Sequence, residues 1–423
     1  MRLLPERLLP EPGAARILAV STLVQTVGRG IWLTASALFL TRSVGLSVAQ
    51  VGLGLTVTAL VSLVASAPMG YLADRFGPRG IQLLGLLASA GLTAALIAVR
   101  SFPQFLLVGV ATALSDAAFR GARGAMIAGA VPPDQRVRTR AYLRATTNLG
   151  ISLGTVLAGV GLAADTRTAY VTLIAVNAAS LAGAALVLIP LAPIPPVRGS
   201  GNGPRLIALR DRPFLAFTVL DGLMSMHFGL LNIALPLWIA QHTHAPRWLI
   251  SVLLLVNTTV IVLFQVRASR GTEELTGAAH AARRAGVAIG VACLLYAASG
   301  GVPTPVAVAL LVAGALVHVI GELWHSAAGW GISFGLAPAH AQGQYQGAYG
   351  MGMQLGGMLA PVLVTTLAIG WGAPGWLVLA VLFTLLGAAQ PRVVRWAARH
   401  RPTSVGAQEA TLVVASGGGR ATS

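Results

Sequence analysis

Long apolar runs, separated by short polar gaps, make up most of this sequence. A helix of about 20 such residues crosses the roughly 30 Å hydrocarbon core of a bilayer. Because that core holds no water, every backbone polar group in it must be hydrogen-bonded inside the protein. We therefore predict an all-α polytopic membrane protein with about 12 transmembrane helices. The predicted spans one to twelve are residues 15–41, 47–71, 81–99, 102–130, 139–163, 168–192, 213–240, 247–267, 284–300, 304–334, 342–369 and 374–395.

A segment rich in proline, glycine and arginine separates the first six runs from the last six. Such a composition is typical of a loop. The predicted organisation is an N-terminal segment (1–14), an N-terminal six-helix half (15–192), a linker (193–212), a C-terminal six-helix half (213–395) and a disordered polar tail (396–423). We expect the two halves to be pseudo-symmetric, and both termini and the linker to be cytoplasmic.

The charge of the chain, +17, is carried by arginine, and only 10% of the residues are charged. An ordinary soluble domain has about 25% charged residues. A basic chain can bind nucleic acid, but these arginines are concentrated in alternate gaps, as expected for loops on the cytoplasmic side of a membrane. The predicted partners are therefore the lipid bilayer and a small-molecule substrate, not nucleic acid. We expect a monomer in the cell membrane, more specifically a bacterial cytoplasmic membrane.

Motifs for catalysis or ATP hydrolysis are missing from the sequence. It has no nucleophile elbow, Walker loop or dinucleotide-binding glycines in a suitable context. The single cysteine, Cys293, excludes an intramolecular disulfide, and His242 and His244 provide only two ligands, too few for a metal site. We expect no enzyme activity, cofactor or metal, and an ion gradient as the energy source. An intramembrane enzyme or a non-transporting receptor remains the alternative to transport.

The gap between spans two and three reads Gly70-Tyr-Leu-Ala-Asp74-Arg75-Phe-Gly77-Pro-Arg79-Gly80. This segment resembles the G-x-L-A-D-R-x-G-x-R loop of the major facilitator superfamily, in sequence and in position. The resemblance implies a secondary transporter that works by alternating access. It also implies that Gly70, Asp74, Arg75, Gly77 and Arg79 form a loop that braces one conformation. Asp74 is expected to face either a helix N-terminus or an arginine of the other half.

Two further segments are similar to motifs of proton-coupled members of that family. Arg120-Gly-Ala-Arg123-Gly124 is similar to R-x-x-Q-G, and Gly150, Gly154 and Gly159 are similar to the glycines of an antiporter motif. Arg123 replaces the usual Gln of the first motif, and Thr155 replaces the proline of the second. The closest branch is that of the drug:proton antiporters, which implies export of a small organic or drug-like molecule in exchange for protons. Uptake of a small metabolite, proton-coupled or facilitated, is the alternative.

Ionisable residues inside the apolar runs are costly unless they face a cavity or a partner. Here they fall in spans one, four, seven and ten, which line the central pathway in the family that the chain resembles. They are Arg29, Asp116, Arg120, Arg123, Asp221, His227, His318, Glu322 and His325.

The proton-coupling candidates are Glu322, Asp221, Asp116, His318 and His325. His318, Glu322 and His325 are spaced i, i+4 and i+7, which places them on one helical face. A carboxylate between two imidazoles can pass a proton, or the three can form a static hydrogen-bonded cluster. Asp221 has the same two interpretations, a titrating group or a structural salt bridge. Asp116 and Arg120 can pair locally at i, i+4.

The substrate-cavity candidates combine charged, polar and aromatic residues. They are Arg29, Gln25, Trp32, Arg120, Arg123, His227, Asn232, Trp324 and Gln354. Arg29 and Arg123 have no local partner, so we expect them to meet Asp221, Glu322 or an anionic group of the substrate. The polar and aromatic residues are as compatible with packing as with ligand binding.

Overall fold

The computed structural model describes Pro10, residues 12–196 and residues 206–400. The predicted N-terminal segment, the middle of the linker and the polar tail therefore lie largely outside the described residues. The described parts contain twelve helices that are long and apolar enough to cross a membrane. They are α1 (Ala14–Ser43), α2 (Val48–Phe76), α3 (Pro78–Ala98), α4 (Phe102–Ala130), α5 (Pro133–Ala163), α6 (Arg167–Leu188), α7 (Arg212–His242), α8 (Leu249–Ala268), α9 (Leu275–Ala298), α10 (Thr304–Leu336), α11 (Ala339–Gly370) and α12 (Ala373–Arg399).

The predicted all-α architecture is confirmed, but several helices extend beyond their apolar runs. α9 begins at Leu275, nine residues before the predicted start, and α5 begins at Pro133 instead of residue 139. Both extensions contain arginines that the sequence pattern assigns to gaps. Arginine has a high helix propensity, and its long side chain can hold its charge outside the apolar layer.

Helix packing repeats between the two halves. In the N-terminal half α1 packs on α5, α2 on α4, and α3 on both α4 and α6. In the C-terminal half α7 packs on α11, α8 on α10, and α9 on both α10 and α12. The halves meet through two equivalent pairs, α2 with α11 and α5 with α8, and α4 also packs on α11.

The halves are in closest contact at the end where α1 begins and α2 ends, which we call the Arg-rich end because it carries Arg75, Arg79, Arg136 and Arg138. Here α2 crosses α11 at Gly70, where an added Cβ would lie 2.1 Å from the carbonyl oxygen of Gly343. Only a residue without a side chain permits this approach. The bundle is therefore closed at the Arg-rich end.

α7 is irregular in the middle of the bundle. Its first regular segment ends at Met224, and a π-helical turn covers Leu230–Ala234. A widened turn of this kind often accompanies a functional site. Between the two lies His227, which is fully buried.

Candidate functional site

The loop between α2 and α3 joins the halves through Asp74. The carboxylate of Asp74 accepts hydrogen bonds from the backbone N–H groups of Gly343 (2.7 Å) and Gln344 (3.0 Å), at the start of the regular part of α11. Of the two expected partners, the structure therefore places a helix N-terminus against Asp74. A carboxylate in this position is stabilised by the helix dipole as well as by the two hydrogen bonds.

Gly70 also contacts the other half, at Gly343, whereas Arg75, Gly77 and Arg79 act within one half. Gly77 ends α2 with a φ of 93°, a conformation that favours glycine. Arg79 donates a hydrogen bond to the carbonyl oxygen of Ile189 at the end of α6. Arg75 is exposed and lies over the ring of Phe76.

A cavity of about 720 Å³ lies between the halves. It extends from Arg123 and Arg140, in the middle of the bundle, towards Leu33, Leu55 and Phe105, near the end opposite the Arg-rich end. Seven of its lining residues are predicted site residues: Gln25, Arg29, Trp32, Asp116, Arg120, Arg123 and Gln354. The C-terminal half contributes to this lining through α10 and α11 alone.

The charged groups of the cavity are mostly bound to neutral side chains. Arg120 lies 3.4 Å from Asp116, the predicted local pair, and donates a shorter hydrogen bond of 2.6 Å to Ser62. Arg123 donates to Gln25. Arg29 is exposed to the cavity and makes no ion pair or hydrogen bond with the residues that the structure describes.

The structure does not show the expected pairing of Arg29 or Arg123 with Asp221 or Glu322. Both acidic groups have other partners. Glu322 binds Arg144 of α5, and Asp221 lies beside His325. Arg144 of α5 therefore occupies the position opposite Glu322 that Arg29 or Arg123 was expected to take.

Three buried imidazoles form a continuous row between Tyr296 and Asp221, which we call the histidine chain. The Tyr296 hydroxyl lies 3.4 Å from His318 Nδ1, and His318 Nε2 lies 3.0 Å from His227 Nδ1. His227 Nε2 lies 3.0 Å from His325 Nδ1, and His325 Nε2 lies 3.2 Å from Asp221 Oδ1. That last pair is at ion-pair distance but is not aligned as a hydrogen bond. No member is more than 2% exposed.

The centre of this chain corrects the prediction for span ten. His318, Glu322 and His325 share a buried face of α10, as their spacing indicates. However, His227 of α7, predicted as a cavity residue, lies between the two imidazoles instead of Glu322. Glu322 lies beside the chain and accepts hydrogen bonds from Arg144 and from Asn257 (2.9 Å).

His227, His318 and Glu322 are also close enough to hold a metal ion, since one ligand atom from each lies within 4.8 Å of the others. The surroundings disfavour a cation there. A guanidinium already binds Glu322, and both nitrogens of His227 face other imidazoles. The pair His242 and His244 lies elsewhere, at the end of α7, where His242 stacks on Trp238.

Besides His227, two predicted cavity residues, Asn232 and Trp324, lie outside the cavity. Asn232 is exposed on α7 and donates to the carbonyl oxygen of Phe228 in its own helix. Trp324 is half-buried and packs against apolar side chains. By contrast, Gln354 connects the halves, since it donates to Ser66 (2.8 Å) and accepts from Ser62 (3.0 Å) of α2.

Sequence reasoning missed Arg140 and Arg144, which are one helical turn apart on α5. Arg140 lines the cavity and donates to Gln346 (2.9 Å), while Arg144 binds Glu322. The signal was present, because both arginines lie within predicted span five, residues 139–163. Arg140 was counted instead with Arg136 and Arg138 in the arginine-rich gap before that span, and Arg144 was not selected as an intramembrane charge.

The fold, the cavity between the halves and the histidine chain define a polytopic transporter built from two six-helix halves. The sequence matches the model of the Major Facilitator Superfamily over residues 18–361. The chain therefore belongs to the major facilitator superfamily; it is a multi-pass membrane transporter and not an enzyme.

Solved structures of this fold are similar over almost their whole length. The human organic anion transporter MFSD10 (TETRAN) has a TM-score of 0.62 at 17% identity, covering 89% of this chain and 98% of that one. A bacterial homologue of the iron transporter ferroportin, in an outward-facing state, has a TM-score of 0.69 at 13% identity, covering 91% and 99%. FucP in the outward conformation, described elsewhere as an E. coli fucose:proton symporter, has a TM-score of 0.68 at 14% identity, covering 90% and 98%. At these identities the likeness shows the fold alone.

Proposed function

We propose that this protein is a proton-coupled secondary transporter that works by alternating access. The observation that carries the proposal is the histidine chain, which lies beside an ion pair between the two halves. The histidine chain gives protons a path. The ion pair between Arg144 and Glu322 connects protonation with the relative position of the halves.

One tautomer assignment fits the three aligned contacts of the histidine chain and directs the remaining N–H group, that of His325, towards Asp221. A neutral imidazole has one N–H donor and one acceptor nitrogen. If Tyr296 donates to His318, each histidine can donate from Nε2 to the next residue, and Asp221 is the last acceptor. A proton that enters at His318 Nδ1 then moves each Nε2 proton forward by one residue. The chain ends with each histidine protonated on Nδ1 and with Asp221 neutral.

The Arg144–Glu322 pair links protonation to the conformational change. Arg144 belongs to the N-terminal half and Glu322 to the C-terminal half, and the Glu322 side chain is 7% exposed. Separating the halves breaks the pair and leaves buried charges without partners, which is strongly unfavourable. A proton on Glu322 removes one of those charges. Proton binding therefore favours the movement of the halves.

We propose the cytoplasm for the Arg-rich end, because arginine-rich loops remain on that side of a membrane. The cavity, which opens away from the Arg-rich end, then faces outward. One polypeptide contains both halves, so a monomer suffices for this mechanism.

Two observations favour opposite directions of transport. Export, as in the drug:proton antiporter branch, is supported by the antiporter-like glycines of α5. Added Cβ atoms at Gly150 and Gly154 would lie 2.1 Å from Thr26 Oγ1 and 2.0 Å from the carbonyl oxygen of Val27, so both glycines serve a tight contact with α1. Uptake with protons is supported by the excess of arginine in the cavity, since a proton that enters with an anion compensates its charge.

The proposal is tested with the purified protein in liposomes with an imposed pH gradient, screening cationic, anionic and neutral compounds for flux. We expect Glu322→Gln to abolish gradient-driven flux while substrate exchange continues. The matched control is Glu273→Gln, because Glu273 is exposed in the loop between α8 and α9. Driven flux that is equal in wild type and Glu322→Gln would remove Glu322 from the mechanism. If no compound moves and none dissipates the gradient, coupled transport is wrong.

A further inference from the structure

We propose that the substrate is an organic anion with an apolar body, whose acidic group binds to Arg29, Arg120 and Arg123. The inference rests on the proposed function in one respect, that the cavity between the halves holds the transported molecule. It adds the chemical class of that molecule.

The first argument is the charge of the cavity. Four arginines and one aspartate line it, a formal excess of three positive charges. Arg123 is repelled by Arg29, Arg120 and Arg140. A membrane protein avoids such an excess unless a counter-charge is supplied. Asp116 is the only acidic residue that lines the cavity, so a bound anion would supply the remaining counter-charge.

The second argument is that these arginines retain free donors. Arg29 has no partner among the described residues and is exposed to the cavity. The Nε atoms of Arg123 and Arg140 are buried without a hydrogen-bond partner in the same part of the chain. Guanidinium groups bind carboxylates, sulfonates and phosphates through several N–H groups at once. The cavity therefore offers anion donors in its polar part.

The third argument is the apolar part of the wall. Trp32, Leu33, Leu55, Leu96 and Phe105 line the cavity on the side away from Arg123. The volume of about 720 Å³ lies within the range of pockets that bind organic molecules. Inorganic phosphate fills only a small fraction of this space and leaves the aromatic wall unused. The cavity is built for an anion that carries an apolar group of several carbon atoms.

The experiment compares ligands of one shape and different charge. The full-length protein in lipid nanodiscs, at neutral pH and without a gradient, is titrated with 1-naphthaleneacetate, with its neutral amide and with protonated 1-naphthylethylamine. Inorganic phosphate is the fourth probe. We expect the naphthaleneacetate anion to bind at least about tenfold more tightly than the other three, the size expected for one hydrogen bond to a charged group.

Arg29→Gln is the informative variant, because Arg29 has no hydrogen bond or ion pair with the described residues that the substitution would break. We expect it to weaken anion binding about tenfold, with recovery in Arg29→Lys. The control Arg247→Gln removes an exposed arginine from the loop between α7 and α8 and should leave binding unchanged.

Equal or tighter binding of the amide or the amine would overturn the proposal, as would failure of all four probes to bind. Anion binding that is unaffected in Arg29→Gln and in Arg123→Gln would also overturn it, because the site would lie elsewhere. These measurements require no gradient and no transport. Failure of proton coupling in liposomes would leave the anion result standing, and the reverse also holds.

Discussion

Asp74→Asn should open the Arg-rich end by a calculable amount. The carboxylate accepts two backbone hydrogen bonds across the halves, from Gly343 and Gln344, and these exist only while this end is closed. Asparagine retains one carbonyl oxygen but loses the charge. Hydrogen bonds to a charged group contribute about 1.5–3 kcal/mol each, so a loss of about 2 kcal/mol is expected. The ratio of closed to open molecules then falls about 30-fold.

The assay is a distance measurement between spin labels on opposite halves. Asp134, at the start of α5, and Glu273, between α8 and α9, are exposed at the Arg-rich end and can be replaced by labelled cysteine. The only native cysteine, Cys293, is fully buried and does not compete for the label. We expect a longer distance to gain population in the Asp74→Asn protein.

The control removes a carboxylate of the same type from the opposite end. Asp165 is exposed and binds Arg42 within the N-terminal half. Hydrogen bonds from Tyr170 and Arg42 hold the pKa of Asp165 below its usual range, so this carboxylate is also ionised at neutral pH. Asp165→Asn should leave the distances unchanged. Identical distance distributions for the wild type and Asp74→Asn would refute the assignment of Asp74 as the brace.

Three further perturbations test the other contacts between the halves and the proton path. Arg144→Gln should lower the free energy of unfolding by about 3–5 kcal/mol, because it leaves Glu322 buried without its cation. Unfolding of the protein in detergent measures this change. The double variant with Glu322→Gln should recover part of the lost stability. His227→Phe keeps a ring in the middle of the histidine chain but removes both ring nitrogens. Proton-driven flux should therefore stop, while substrate exchange in the absence of a gradient continues. Driven flux at the wild-type rate would exclude the histidine chain as the proton path. Gly70→Val should prevent closure of the Arg-rich end because an added Cβ would lie 2.1 Å from the carbonyl oxygen of Gly343, and the same spin-label pair would then report an open end only.

The fold was predictable because bilayer crossing depends on local sequence. Each apolar run of sufficient length became one helix, and the loop at Gly70 to Gly80 fell at the expected seam between the halves. The bounds of α5 and α9 were not predictable from apolarity. Arg136, Arg283 and Arg284 continue these helices, since arginine interrupts an apolar run without interrupting a helix.

The sites were predictable only within single helices. The helical period places His318, Glu322 and His325 on one face, as found. Their partners depend on how helices cross, which no local pattern contains. The histidine chain runs through His227 because an irregular segment of α7 places the His227 imidazole between those of His318 and His325. The intramembrane cost of charge also points to Arg144, which lies within predicted span five, but that cost alone does not identify Glu322 of the other half as its partner.

The sign of proton movement on anion binding separates uptake from export. Arg140 lines the cavity and Arg144 binds Glu322, one helical turn apart on α5. An anion bound beside Arg140 adds negative potential near Glu322 and favours its protonated form, and by linkage a proton on Glu322 favours the anion. Cooperative binding of this kind belongs to symport, whereas exchange requires each ligand to displace the other. We therefore expect 1-naphthaleneacetate to withdraw protons from a weakly buffered solution of the protein, an effect absent in Glu322→Gln. Proton release instead would assign antiport, and with it export, to an anionic substrate.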